Sequence, residues 1–417
     1  MTWRSVIGAG WAACAVALAN CPAAEDKPVP ETPGKETAGS PVQYLPLDAP
    51  AGMSQAVIVQ AQPLVHTRQL LPLDREGKLV GEGSVDKQVE QVLDNLDAVL
   101  GASGSVLDKL VRLNVYALAP PAVDRVRELL SKRLAPSVRP TITAVLTPMP
   151  RRGVLVAVDA VAVSAEKGSA VALHRCEAVA GDKDCADAAV LPAGGIAYLS
   201  GVPAEAGLTE SAIDKSMSGL WKMLEQLKLS PAHVVHLKVF VRPATSAEDV
   251  QRELKKYFPG QLAPPMVFVE WLAPPPIEIE LIAQLPPSDG PAPSVQYYNP
   301  PYALPLQIFS RAALVRSERQ IYVSGLFARK AARGQDQARD VFDQLQAILK
   351  ETGSDLRHMA KATYYVCDDD AARGMDRLRL WLYDQDRPPA ASKLMVHGVG
   401  QASRSLTMDM IAVPSEK

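Results

Sequence analysis

The chain repeats itself at long range. After Pro140, Pro264 and Pro388, positions 124 residues apart, it enters an apolar strand pair that closes on VAVDAVAV, IEIELIAQ and LTMDMIAV. A second landmark keeps nearly the same interval: LVRLNVY (Leu110–Tyr116), VHLKVFV (Val235–Val241) and MAKATYYV (Met359–Val366) are offset by 124 to 125 residues. Two independent landmarks at one spacing define a unit used three times, and such a repeat restricts the fold more than any local pattern does. At 417 residues, each unit is long enough to bury a core of its own.

Each unit reads the same way: extended apolar segments, an amphipathic helix, a strand, a second helix and two further strands, an α+β pattern. In the first unit the helix opens at Ser84 and places Val85, Val89, Val92, Leu93, Leu96, Val99 and Leu100 on one face. Its counterparts start at Thr209, with Ile213, Leu220, Met223 and Leu224, and near Gln335, with Val341, Leu345, Ile348 and Leu349. Gly101 and Gly353 are expected as C-caps. The second helices, Pro121–Leu134, Ser246–Phe258 and Ala371–Tyr383, carry mixed charge that reads as a solvated face. Between Val154 and Val163 every residue but Asp159 is apolar, so both faces of that strand are covered. The unit's own helices cover one face; the sheets of the other two units, closed into a threefold arrangement within one chain, cover the other. Tethering raises the effective concentration of the units to about millimolar, which makes the chain a monomer acting as an intramolecular trimer.

Residues 1–24 read as an export signal, with Arg4, an apolar run from Ile7 to Ala19 and small residues near Cys21–Ala24. The run is too short to span a bilayer, so no membrane span is expected and the location is periplasmic or extracellular. Leu18–Cys21 resembles a lipid-attachment box, but Asn20 is a poor residue before Cys21, which makes anchoring the minor reading. Residues 25–41 form a Pro- and charge-rich flexible linker. The units then occupy 42–165, 166–286 and 295–417, with a Pro-rich linker at 287–294.

Formal net charge is -2, from 44 Lys and Arg against 46 Asp and Glu, so no basic surface for a polyanion is implied and nucleic acid is not an expected partner. Cys176 and Cys185 stand where a short disulfide loop would close in an oxidising compartment. A zinc site on His174, Cys176 and Cys185 lacks a fourth ligand nearby, and Cys367 reads as a small buried apolar residue. His233 and His236 point to opposite faces of a strand start, so they share no metal. Asp368, Asp369 and Asp370 read as an N-cap cluster ahead of a helix. No phosphate loop, nucleophile elbow or zinc-protease helix is present in the sequence.

The segments YLSG (Tyr198–Gly201), YVSG (Tyr322–Gly325), DNLDAVLGASG (Asp94–Gly104) and IEIELIA (Ile277–Ala283) occur in an order and spacing that resemble the RidA family, also called YjgF or L-PSP proteins. The resemblance covers nearly all the chain after the leader. It implies chorismate-mutase-like modules, three of which form an intramolecular pseudo-trimer with a central β-barrel and outer helices. It also implies small-metabolite sites in the clefts between modules, hydrolysis of reactive enamines and imines to 2-keto acids and ammonia in active members, and no metal or organic cofactor.

The family's carboxylate-binding arginine stands two residues after the strand-opening proline, a position held here by Ile142, Met266 and Ala390. None can form the two-pronged, charge-assisted pair that a guanidinium makes with a carboxylate. Arg139 precedes Pro140, one residue out of register. The family's first strand carboxylate appears as Ala157, Glu278 and Thr407, and the next one inward as Asp159, Glu280 and Asp409. Its Ser-Gly pair appears as Gln60 with Ala61, Ser200 with Gly201 and Ser324 with Gly325, while Arg242 and Arg404 are the cations that stand near the cleft ends. Loss of a preorganised charge partner commonly costs a hundredfold in rate, about 3 kcal/mol. The resemblance therefore supports binding of a small metabolite or partner with little or no turnover, the alternative being a 2-iminobutanoate/2-iminopropanoate deaminase (hydrolase) that uses Glu278. A ribonuclease, implied by an older label of the family, fits poorly with the neutral charge.

Overall fold

Side chains that alternate between a helix-facing and an inward-facing side organise every sheet of this chain. The computed structural model describes residues 40–288, 290–302, 307–330 and 332–415. Residues 1–24, expected to form an export signal and including Cys21, and residues 25–39 of the expected linker lie outside the described residues.

One element order recurs three times. The first run is β1 (Val42–Leu45), β2 (Ala56–Gln60), β3 (Leu64–Thr67), α1 (Val85–Ala102), β4 (Leu110–Ala117), α2 (Pro120–Arg133), β5 (Thr141–Leu146) and β6 (Val156–Val163). The second is β7 (Ala172–His174), β8 (Ala188–Leu191), β9 (Gly195–Ala204), α3 (Ala212–Gln226), β10 (Val234–Val241), α4 (Ala247–Leu254), β11 (Met266–Glu270) and β12 (Ile277–Leu285). The third is β13 (Val295–Tyr298), β14 (Ala312–Val315), β15 (Arg319–Val323), α5 (Gly334–Glu351), β16 (Met359–Val366), α6 (Asp369–Leu382), β17 (Ala390–Met395), β18 (Gly398–Val399) and β19 (Leu406–Ala412).

Local chemistry sets the helix ends. Ser84 caps α1 by accepting from Lys87 N, Ser211 forms a capping box with Asp214 at α3, and Asp368 caps α6 by accepting from Ala371 N at 2.7 Å. The left-handed residue after α1 is Gly104, not Gly101, which lies inside the helix; Gly353 follows α5 as expected.

The strands build three sheets, in the orders β18-β5-β4-β6-β3-β8-β7, β11-β10-β12-β9-β14-β13 and β1-β2-β15-β19-β16-β17. The hairpin that opens each run does not join the sheet of its own run. β1–β2 adds to β15, β7–β8 adds to β3, and β13–β14 adds to β9. Three-residue connections, Ala61–Pro63, Pro192–Gly194 and Arg316–Glu318, carry the chain from one sheet into the next. Each sheet is therefore completed by a neighbouring run.

The outward face of each sheet packs on its helices and forms a separate apolar core, centred on Leu93, Leu96 and Val158 in one, Leu220, Leu237 and Ile279 in the second, and Phe342, Leu345 and Met408 in the third. The inward faces share an interior made of three layers. One is aliphatic and draws Val161, Ile282 and Ile411 from the three sheets; the opposite one is aromatic, with Tyr116, Phe240 and Tyr365. Between them lies a charged layer of Arg112, Asp159, Lys238, Glu280, Lys361 and Asp409. Hence VAVDAVAV: its outward residues feed a helical core, while Ala157, Asp159 and Val161 each contribute to a different inner layer.

Two expectations are corrected here. The strands do not close into a hydrogen-bonded barrel: the sheets are open, and large inward side chains hold facing sheets a side-chain layer apart. Cys176 and Cys185 are both free thiols rather than a disulfide. Cys176 packs into the first helical core and bonds Ala98 O, whereas Cys185 packs into the second and accepts from Gln251 Nε2.

Candidate functional site

The residues that the sequence singles out meet where one sheet abuts the next. Strand register fixes the equivalences: His66, Tyr198 and Tyr322 sit opposite Val161, Ile282 and Ile411. Two residues on, the positions of Ser200 and Ser324 are matched by Arg68, and those of Gly201 and Gly325 by Gln69. Gln60 and Ala61 are thus not the first counterpart of the Ser-Gly pair; Gln60 ends β2 and pairs with Arg319 of β15, in a different sheet from the one that holds β3. Register also moves one family-arginine position. Ile142, Met266 and Ala391 pair with Leu113, Leu237 and Ala362, so the third position is Ala391 and not Ala390. All three are buried and belong to the helix-facing apolar cores.

The three junctions share one scaffold. Ser324 Oγ donates to Ser54 O at 2.6 Å and accepts from Ile142 N at 2.9 Å, and Gly325 N donates to Ile142 O at 3.0 Å. Ser200 Oγ donates to Ser310 O at 2.6 Å and accepts from Ala391 N at 2.7 Å, and Gly201 N donates to Ser392 Oγ at 3.2 Å. At the remaining junction Gln69 N donates to Met266 O at 3.0 Å, while its side chain donates to Phe268 O at 3.1 Å and accepts from Phe268 N at 3.3 Å. Both serines donate to and accept from backbone groups of a neighbouring run, which makes them sheet-joining residues. Their neighbours differentiate the junctions.

At the Ser200 junction the side chain of Glu278 lies against Gly201. A Cβ on residue 201 would stand 1.9 Å from Glu278 Oε1 and 2.6 Å from Ser392 Oγ, so only glycine allows this approach. Ser392 Oγ donates to Glu280 Oε2 at 2.8 Å; Lys361 Nζ donates to Glu280 Oε1 at 2.7 Å and to Thr363 Oγ1 at 2.8 Å. Burial, at 6% exposure, pushes the Glu278 carboxyl up to about 7, against the opposing Ser392 hydrogen bond and with the Glu280 charge reinforcing it. One carboxyl of the pair thus exchanges its proton near neutrality, which is the property of a general acid or base. The Ser324 junction places Thr407 and Thr143 at the corresponding positions, where no carboxylate is present.

The Arg68 junction opens into a cavity of about 450 Å³ with an apolar floor of Leu71, Leu73, Met266 and Phe268. Most of its charges are already engaged. Arg68 holds Asp187 at 2.6 Å and also bonds Ala180 O; Lys255 holds Asp182 at 2.8 Å and Asp184 at 3.1 Å; Arg252 pairs with Asp249 at 2.8 Å. Arg151, exposed at the rim, donates only Nη1, to Gly77 O at 2.8 Å, among the described contacts.

Neither expected substitute cation lines the 450 Å³ cavity. Arg242 is exposed and reaches Ala273 O at 3.5 Å. Arg404 ties down the segment after β15 through Ala328 O and Arg329 O at 2.5 and 3.2 Å. Strand alternation held a signal for Lys361 and Lys238 that motif matching missed: each is a buried cation on a mostly apolar strand. Among the described residues no group of His, Cys, Asp and Glu is arranged to hold a metal ion, and no helix is long and apolar enough to cross a membrane.

A family profile described as Endoribonuclease L-PSP matches residues 46–164 and 302–413. Protein DfrA of Myxococcus xanthus is 35% identical over 113 residues, 27% of this chain and 84% of that protein. Protein HMF1 of Saccharomyces cerevisiae is 35% identical over 66 residues, 16% of this chain and 50% of its own length. Among solved structures, a protein of the conserved Rid family, YyfB from Yersinia pestis, is 22% identical, covers 30% of this chain and 99% of that one, and gives a TM-score of 0.26.

Proposed function

The chain belongs to the Endoribonuclease L-PSP (RidA/YjgF) family, and from that premise we propose that it is a single-chain pseudo-trimer of three such modules, exported, whose clefts bind a small metabolite or partner with little or no turnover. The element order that recurs three times, the hairpins exchanged between sheets and the shared three-layer interior support the pseudo-trimer. The leader-like residues 1–24 support export. The observation that carries the lack of turnover is that buried apolar residues, Ile142, Met266 and Ala391, occupy the positions where the family resemblance requires arginine. An acid substrate would meet no guanidinium at those three positions; in the cavity at the Arg68 junction, Met266 is part of an apolar floor and the arginines stand around it, Arg68 and Arg252 already paired with carboxylates.

A second reading rests on Glu278. Its carboxyl titrates near neutrality beside Ser392 and Glu280, as a deaminase acid-base group would. Freshly generated 2-iminobutanoate separates the two. Ammonia release at the buffer rate supports binding without turnover; acceleration that disappears in Glu278→Ala rejects it and establishes the deaminase.

A further inference from the structure

The 450 Å³ cavity at the Arg68 junction is lined by the first and the second run together, and its size lies within the roughly 300–1,000 Å³ of small-molecule pockets. Its floor of Leu71, Leu73, Met266 and Phe268 offers only apolar surface. The charged lining residues are mostly paired: Arg68 with Asp187, Arg252 with Asp249, and Lys255 with Asp182 and Asp184. Two groups of opposite sign are left over. Arg151, in the connection between β5 and β6, donates one nitrogen to Gly77 O and meets no carboxylate among the described residues. Glu248, in the first turn of α4, meets no donor among the described residues. Both are exposed, and they do not pair with one another. One turn along α4 from Glu248, Gln251 donates Nε2 to Cys185 Sγ at 3.2 Å, and its Oε1 has no partner among the described residues.

Resting on the reading that this cleft binds a small metabolite, we infer that its ligand is a free α-amino acid with a bulky apolar side chain, held side chain first. The side chain covers Met266 and Phe268, the carboxylate meets the Arg151 guanidinium, and the ammonium lies between Glu248 and Gln251 Oε1. Donors thus come from the first run and acceptors from the second, so the dipolar head bridges two modules. Arg151 keeps Nε and Nη2 for this contact, the planar fork that suits a carboxylate. A simple anion would leave Glu248 unmatched beside it, and a simple cation would leave Arg151 unmatched; a head that carries both signs satisfies both. The floor rules out the opposite orientation, because Met266 and Phe268 give a buried charge no hydrogen bond. At exposed positions each charge pair is worth only about threefold to fivefold in affinity, so apolar burial supplies the binding and the head supplies the selectivity.

Ligand-observed NMR titration of the full chain tests the inference with three matched probes: L-phenylalanine, 3-phenylpropanoate, which lacks the ammonium, and 2-phenylethylamine, which lacks the carboxylate. Phenylalanine is expected to bind about threefold or more tightly than either analogue. Arg151→Gln should bring phenylalanine down to the level of phenylethylamine, and Glu248→Gln to that of phenylpropanoate; both side chains are exposed, so neither change disturbs the core. Failure of all three probes to bind, an analogue that equals phenylalanine, or an order that either substitution leaves unchanged overturns the inference. The result is separable from the 2-iminobutanoate assay. Ammonia release at the buffer rate with this order absent removes the ligand class and leaves the low-turnover reading standing, whereas accelerated release with the order present does the reverse.

Discussion

Replacing Glu278 by Gln isolates the energetic consequence of burying its carboxyl. The side chain keeps its shape against Gly201 and can still bond Ser392, but it no longer titrates. In the fold burial holds the Glu278 proton up to about 7, against an ordinary value of 4.5. That gap, at 1.36 kcal/mol per pH unit, corresponds to about 3 kcal/mol. Because the folded value is raised, the folded state binds more protons than the unfolded state between these limits. The native protein therefore has this stability in full below about pH 4.5 and loses it as the pH rises through 7. Other titrating groups are common to both proteins and cancel in the difference. Urea denaturation followed by tryptophan fluorescence, run in steps from about pH 4 to pH 8, should show the Gln variant gaining on the native protein by about 3 kcal/mol across that range. A difference that stays flat with pH, or that shrinks as the pH rises, refutes the burial argument.

Gly201→Ala forces a Cβ to within 1.9 Å of Glu278 Oε1, and overpacking of this kind costs about 1–3 kcal/mol; in a Glu278→Ala background the same change should cost measurably less, and equal penalties in the two backgrounds would show that the two side chains do not meet. His66 is held at about 4 by burial, with Arg112 adding to the shift. Its folded value is depressed below 6.5, so the stability it provides is present above pH 6.5 and disappears as the pH falls toward 4. His236, whose ring lies 6.0 Å from that of His66, is likewise pushed well down by burial, with the His66, Lys238 and Lys361 charges adding to the shift. His66→Asn should therefore flatten the acid limb of the denaturation profile, and an unchanged limb assigns acid sensitivity elsewhere.

Much of this architecture was legible because it rests on periodicity. The 124-residue spacing, the apolar faces of α1, α3 and α5 and the Asp368 cap all follow from residues that act on their own neighbours in sequence. The hairpin exchange was not legible. A three-residue connection such as Ala61–Pro63 has the same sequence character whether the chain folds back or crosses to the next sheet, and only the tertiary partner decides. Register errors had a similar origin. The doubled proline Pro388-Pro389 offers two starting points for β17, and His66-Thr67-Arg68-Gln69 carries the sheet junction without any serine or glycine to mark it. The cysteine pair misled because the chain between Cys176 and Cys185 leaves one helical core and enters another. Binding capacity at the candidate site was only partly visible: Glu278 stood out as a carboxylate on a largely apolar strand, whereas Lys361 and Ser392 reach the neighbouring Glu280 from another sheet.

The exchanged hairpin also gives the most direct measurement of whether the three sheets close on one another. Gln60 and Arg319 are register partners between β2 and β15, 259 residues apart in sequence and both partly exposed. A variant with Gln60→Cys and Arg319→Cys, oxidised at low concentration and run under non-reducing conditions, should convert to a monomer of increased mobility whose disulfide maps to those two positions by peptide mass. Recovery of uncrosslinked chain, or of intermolecular dimers alone, would contradict a closed single-chain assembly.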